Sequence, residues 1–244
     1  MQAAEPASVA VSGASRQMRH ETIRADESHI ALAQGERALD VVAVIDFETT
    51  GLSPAQGDRA TEIAAVILEN GKVVDRYQSL MNAGVRVPPF IEALTGISND
   101  MIRSAPAAAD VMREVSAFIG DYPLVAHNAS FDCKFWDAEL ARIKQTRRQE
   151  FACSLLLSRR LLPQAPSHKL SALVAFAKLP VAGRAHRALA DAEMAASLMV
   201  RLEEELRCRY KVGNVSHELL RKIQSAPKAK LEQCLERHQQ ARSL

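Results

Sequence analysis

Along the first 40 residues, large apolar side chains are few and recur with no sustained period. Such a stretch cannot bury enough surface to hold a fold, so it reads as a flexible extension with at most a short helix near residues 30–39. The pattern then changes abruptly. Val41-Val42-Ala43-Val44-Ile45 is a β-branched run of the kind found in a strand buried on both faces. A turn-rich stretch follows from Thr50-Gly51 to Gly57-Asp58, then a second strand over 62–68, an Asn70-Gly71 hairpin signal, and a third strand over 73–81. Beyond these the apolar positions recur at helical spacing. Helices are expected at 89–94, 110–119, 130–143, 170–178 and 188–206, with short strands at 124–126 and 151–153. After residue 209, two short amphipathic helices near 216–225 and 227–240 are separated by Ala226-Pro227.

Three antiparallel strands followed by alternating helices and strands predict an α/β domain with a mixed sheet and helices on both faces. The expected organisation is a flexible extension over 1–40, a domain over 41–206 and a helical tail over 207–244. Of the 244 residues, 48% are hydrophobic, enough for one buried core. Cys133, Cys153, Cys208 and Cys234 are widely spaced and form no CxxC pair, which argues against a zinc site or a disulfide framework and fits a reducing cytosol. There is no signal-peptide pattern and no bilayer-length apolar run, so a soluble cytoplasmic protein without a membrane partner is expected.

The net charge of +2 conceals an uneven distribution. Residues 1–40 carry −2, residues 41–206 carry −2, and residues 207–244 carry +6, with 9 basic against 3 acidic side chains. An acidic centre is unusual for a nucleic-acid binder unless bound cations offset some of its acids.

Three clusters carry candidate chemistry. In Asp46-Phe47-Glu48 the two carboxylates share one face of a strand, at its end, while Phe47 points back into the core. Their repulsion costs stability unless a cation or proton offsets it, although two acids reaching solvent is an equally good account of the pair alone. In His127-Asn128-Ala129-Ser130-Phe131-Asp132, the acid falls in the first turn of a helix, where it would also complement the helix dipole. In His186-Arg187-Ala188-Leu189-Ala190-Asp191, five residues separate the histidine from the acid, about 500° of helical rotation. The histidine therefore belongs on a loop and the acid on the helix that follows it. Each cluster alone has a plain structural explanation.

Together and in this order, the three clusters resemble the three motifs of the DEDDh 3′→5′ exonucleases, which include the proofreading ε subunit of bacterial DNA polymerase III. The resemblance spans residues 41–206. It implies an RNase H-like mixed five-stranded sheet flanked by helices. It also implies a metal-dependent 3′→5′ exonuclease that releases nucleoside monophosphates from 3′ ends by two-metal hydrolysis. Asp46, Glu48, Asp132 and Asp191 would hold two divalent cations, Mg²⁺ or Mn²⁺, which hard carboxylate oxygens suit. His186 would be the general base, an imidazole being suited to that task near neutral pH. The sister subclass carries a tyrosine four residues before the last acid; Arg187 stands there, so the histidine subclass is indicated.

By the same resemblance, Thr49, Thr50, Gly51 and Leu52 lie against the terminal nucleotide, and Phe131 lines its pocket. Glu62 matches a recurrent family acid near the site, with a salt bridge as the alternative. Thr95 stands where many proofreading relatives carry histidine, and Cys153 where aspartate is common. His127 and His168 are read as structural. The expected partner is a single-stranded 3′ end, DNA favoured over RNA. RNA 3′-end trimming is the nearest alternative, and a non-catalytic nucleic-acid-binding module is disfavoured because all four acids and the histidine are present. The basic tail would track phosphates, or be the solvated side of helices packed on the domain or on a polymerase or other protein. It carries no clear clamp-binding segment of the Gln-x-Ser/Leu-Leu type.

Overall fold

A computed structural model describes residues 41–181, 183 and 186–241. The expectations for residues 1–40 lie outside the described residues. The sheet has five strands in the order β3-β2-β1-β4-β5: β1 is Val42–Thr49, β2 Ala60–Glu69, β3 Lys72–Leu80, β4 Leu124–Ala126 and β5 Phe151–Cys153. Strands β1, β2 and β3 pair antiparallel, whereas β4 and β5 add in parallel to β1. This is the mixed, RNase H-like sheet expected from the sequence.

The helices are α1 Pro89–Thr95, α2 Asn99–Ser104, α3 Ala108–Ile119, α4 Ala129–Arg142, α5 Ser154–Leu161, α6 Leu170–Phe176, α7 Ala188–Tyr210, α8 His217–Ser225 and α9 Leu231–Ala241. Two were not anticipated. Helix α2 is six residues long, but Ser98 caps it by accepting from the Met101 N–H at 3.2 Å. That capping serine was a readable signal. Helix α5 follows β5 without an intervening turn and has no side-chain cap, which leaves little to read.

The strands are apolar throughout because both faces of the sheet are covered. Val42 and Val44 pack with α5, α7 and α8 on one face, while Ala43, Ile45 and Phe47 pack with α3 and α4 on the other. Period-two alternation in β1 therefore decides which layer each side chain joins. Asp46 and Glu48 fall in the even set, so they face the α7 layer.

The C-terminal helices belong to this same packing. Leu219, Leu220 and Ile223 of α8 and Leu231 and Leu235 of α9 are buried in the core of the α7 layer. Strand β5 is the sheet edge, with alternate backbone groups pointing outward and unpaired by strands. Gln224 of α8 satisfies them: its Oε1 accepts from the Cys153 N–H at 2.6 Å, and its Nε2 donates to the Phe151 carbonyl at 3.1 Å. His217 makes a further bond, its Nε2 lying 3.0 Å from the Leu124 carbonyl. Part of the tail's positive charge is paired locally, as in Lys222–Glu218 at 2.6 Å and Arg207–Glu203 at 3.0 Å. No helix among the described residues is long and apolar enough to cross a membrane.

The edge contact predicts that Gln224→Ala destabilises the domain by roughly 1–3 kcal/mol, the usual cost of leaving buried backbone groups unpaired. Urea unfolding followed by far-UV circular dichroism checks this; an unchanged midpoint would show that α8 does not seal the edge.

Candidate active site

Strand β1 runs four residues beyond the apolar run that ends at Ile45, because its pairing with β2 continues through Glu48↔Glu62 and Thr49↔Ala60. Asp46 and Glu48 thus lie among the last paired residues of the strand, near its C-terminal end as the sequence placed them, with a register shift just after Glu48. Asp132 comes from the first turn of α4 and is 2% exposed, too buried to serve only as a solvated partner of the helix dipole. Its Oδ1 accepts from the Phe47 N–H at 3.3 Å, tying the helix start to the strand between the two β1 acids. Asp191 lies in the first turn of α7, and its Oδ2 accepts from the His186 N–H at 3.0 Å.

His186 itself is off the helix, as the spacing required, with φ of 60° and an exposed side chain. One ligand atom from each of Glu48, His186 and Asp191 falls within 4.8 Å of the others, so these residues could hold one metal ion. His186, Asp191 and Asp46 line a cleft of about 800 Å³. Sequence reasoning did not name several of the residues that line it, among them Leu155, Arg159 and Ser167. They lie on α5 and the α5–α6 connection, which no motif marks.

The electrostatics test whether cations suit this cluster. Burial, then the charge of Asp191, pushes the Glu48 carboxyl up to about 8. Burial and the neighbouring carboxylates, Asp132 foremost, hold Asp46 well above the usual range. Burial likewise raises Asp132 and Asp191, in each case against hydrogen bonds that favour the ionised form. Hard oxygen donors crowded until they retain protons are suited to Mg²⁺ or Mn²⁺. Glu62 differs. Its four acceptor positions are filled by Arg187 Nη2 and Nε at 2.7 and 3.1 Å, the Ala188 N–H at 3.1 Å and Gln78 Nε2 at 2.7 Å. The salt-bridge reading of Glu62 therefore holds, and no lone pair is left over for an ion.

The remaining named residues separate into two groups. Thr49 and Thr50 are buried and organise the turn: the Thr49 hydroxyl donates to the Gly51 carbonyl, and Thr50 Oγ1 accepts from the Arg59 N–H. Gly51 is required by close approach, since a Cβ there would meet the Asp58 carboxylate at 2.4 Å. Leu52 projects 77% exposed. Phe131 packs against Phe135 at 5.0 Å and is not among the residues lining the cleft. Thr95 is buried, its hydroxyl donating to the Ile91 carbonyl. His127 is held at both ring nitrogens, by Ser154 Oγ at 2.9 Å and the His168 carbonyl at 3.1 Å. Burial lowers its pKa to about 4, so it stays neutral and structural.

The sequence pattern of the exonuclease family (RNase_T) matches residues 43–199, more than half of the chain. The chain belongs to the DEDDh 3′→5′ exonuclease family. Among relatives of this family member, the PolC-type DNA polymerase III of Oceanobacillus iheyensis is 37% identical over 72% of the chain. That match spans only 12% of the much longer polymerase. The DNA polymerase III subunit epsilon of Aquifex aeolicus is 31% identical over 70% of the chain and 84% of the subunit. Exonuclease X, solved with a 5′-overhanging duplex DNA, is 29% identical with a TM-score of 0.56 and covers 67% of this chain and 91% of its own.

The raised carboxyls make stability depend on pH and cations. An acid with a folded pKa above its unfolded value stabilises fully below the unfolded value, and that contribution is lost as pH rises through the folded one. In EDTA the protein should lose stability between about pH 5 and about pH 8 as the cluster ionises. Mg²⁺ or Mn²⁺ should restore it at the upper pH, by about 2.7 kcal/mol at a hundredfold excess over Kd. Calorimetry with and without cation checks this; equal cation increments at both pH values would contradict it.

Proposed function

We propose that this protein is a divalent-cation-dependent hydrolase that removes nucleoside 5′-monophosphates one at a time from the 3′ end of single-stranded DNA. The observation that carries the reading is the convergence, from β1, α4, α7 and the preceding loop, of four mutually repelling acids and one exposed imidazole, with Asp46, Asp191 and His186 lining the cleft. Asp46, Glu48, Asp132 and Asp191 would hold two cations. When bound, such ions supply Lewis-acid activation of a water and offset charge on the scissile phosphate and leaving oxygen.

The chain's own residues account for the rest. His186 takes the proton from the attacking water, as its exposed ring beside Glu48 and Asp191 allows. Attack at phosphorus breaks the bond to the 3′ oxygen of the penultimate nucleotide, which leaves as a hydroxyl after gaining a proton. Leu52, exposed at the turn that Gly51 and Asp58 brace, offers an apolar surface to the terminal nucleotide. Phe131 supports that pocket from the start of α4. Arg159 and Lys169, at the other part of the cleft, suit the phosphates of the strand leading in.

DNA is favoured over RNA because the polymerase III relatives and Exonuclease X are DNA proteins by name. The free cysteines fit a reducing, cytoplasmic setting. We place the working domain at 41–206 and the tail at 207–244, whose helices α8 and α9 pack on the domain. The apolar faces of α8 and α9 are occupied within the chain, so a further partner, polymerase or nucleic acid, would meet the tail's basic side.

Digestion of single-stranded DNA and RNA oligonucleotides with Mg²⁺, Mn²⁺ or EDTA tests the proposal. Cation-dependent mononucleotide release from DNA is expected, and none from either polymer would sink it. Asp46→Ala should abolish release. His186→Ala should lower kcat by about 10²-fold or more with substrate binding largely kept, within the range for losing a general base.

A further inference from the structure

We propose that Arg187 and Glu62 form a positioning pair that fixes the working place of the His186 imidazole, so that the pair acts on turnover through His186 rather than through substrate binding. The inference rests on the reading of His186 as general base.

Consider first what orients the histidine. Among the described residues, no hydrogen bond to its ring is present. Its backbone sits in the left-handed region at φ 60°, and its N–H is taken by Asp191. Catalytic bases are usually oriented by a third group on the ring. Here the orientation must come from the backbone.

The backbone is anchored immediately afterwards, at one point. Arg187 reaches Glu62 on β2 with Nη2 at 2.7 Å and Nε at 3.1 Å, and Ala188 donates its N–H to the same carboxylate at 3.1 Å. Glu62 is fully buried and cannot follow a moving loop. Earlier in the loop, Gly183 has φ of 61° and Val181 is 73% exposed. The planar guanidinium thus clamps the chain directly after the histidine to the sheet. Because Glu62 stands directly across the strand pair from Glu48, the same clamp registers the His186 loop against a candidate metal-holding acid. A point-like ammonium could supply the charge but not the two-pronged geometry.

A double-mutant cycle on the full chain separates positioning from general structure. Using a 3′-labelled single-stranded DNA oligonucleotide with Mg²⁺, Arg187→Gln should lower kcat at least about tenfold while KM stays within about threefold. In the His186→Ala background the same change should cost no more than about twofold, because its effect runs through the missing ring. Arg187→Lys should recover only part of the loss. Independently of activity, the His186 ring signal in ¹³C,¹⁵N-histidine-labelled protein, assigned by its loss in His186→Ala, should broaden or divide in Arg187→Gln. Should Arg187→Gln fail to fold, Arg187→Lys and Glu62→Gln carry the same cycle and the same spectrum. Full additivity with His186→Ala, wild-type turnover in Arg187→Lys, or an unperturbed ring signal would each overturn the proposal. If the wild type releases no nucleotide, or His186→Ala keeps full activity, the functional reading fails instead, and the ring signal alone decides the positioning role.

Discussion

Glu48 and Glu62 stand opposite each other on neighbouring strands of a sheet covered on both faces. Like charges at such a position repel at short range and low dielectric, and burial denies them water. Two remedies are used side by side. Glu62 is matched inside the protein by Arg187, the Ala188 N–H and Gln78. Among the described residues Glu48 has no hydrogen-bond donor of this kind; it faces Asp191, and the charge of Arg187 offsets only part of the repulsion. One acid is thereby spent on structure, and the other is left short of positive charge. The deficit is what makes the cluster a cation site, and the neighbouring ion pair keeps it from spreading along the sheet.

The same device recurs away from the chemistry. Arg59 grips the buried Glu139 of α4 with Nε at 2.7 Å and Nη2 at 2.9 Å, and its Nη1 donates to the Ala83 carbonyl. Arg59 also closes the β1–β2 turn, its carbonyl accepting from the Thr50 N–H at 2.9 Å. One two-pronged arginine thus fixes the turn that presents Leu52, and the other fixes the loop that presents His186. Buried pairs of this kind give little net stability against an apolar alternative, but breaking one leaves a buried charge unmatched. Their worth lies in geometry: each converts a loop beside the cleft into an extension of the sheet.

Much of this was readable from the residues because the chain is locally consistent. The run at 41–45, the Asn70-Gly71 turn and the periodic helices each point to one state, and the structure shows those elements within a few residues. The clustered acids were readable because their motifs are short and contiguous. What could not be read is what depends on partners distant in sequence. Nothing near Arg187 announces Glu62, 125 positions away. Nothing near Gln224 announces the backbone of β5. The apolar run alone stops at Ile45, and pairing with β2 is what carries the strand on through Asp46 and Glu48. Helix α5 failed differently, since eight residues without a side-chain cap give too little periodicity to separate from the strand before them.

The histidine brings two requirements into conflict. A base must be exposed to reach a water, whereas its loop must be as fixed as the buried acids it works beside. An exposed residue in the left-handed region costs backbone energy, and such a conformation persists only where its surroundings over-determine it. Here they do so from one side: Asp191 accepts the His186 N–H, and the next two residues are tied to Glu62. Among the described residues no side chain or backbone group hydrogen-bonds the ring, which suits the proton transfer proposed for it. A histidine oriented through its ring would have needed another buried acceptor in a cluster already overloaded with negative charge. Anchoring through the chain, as proposed for Arg187 and Glu62, avoids that acceptor.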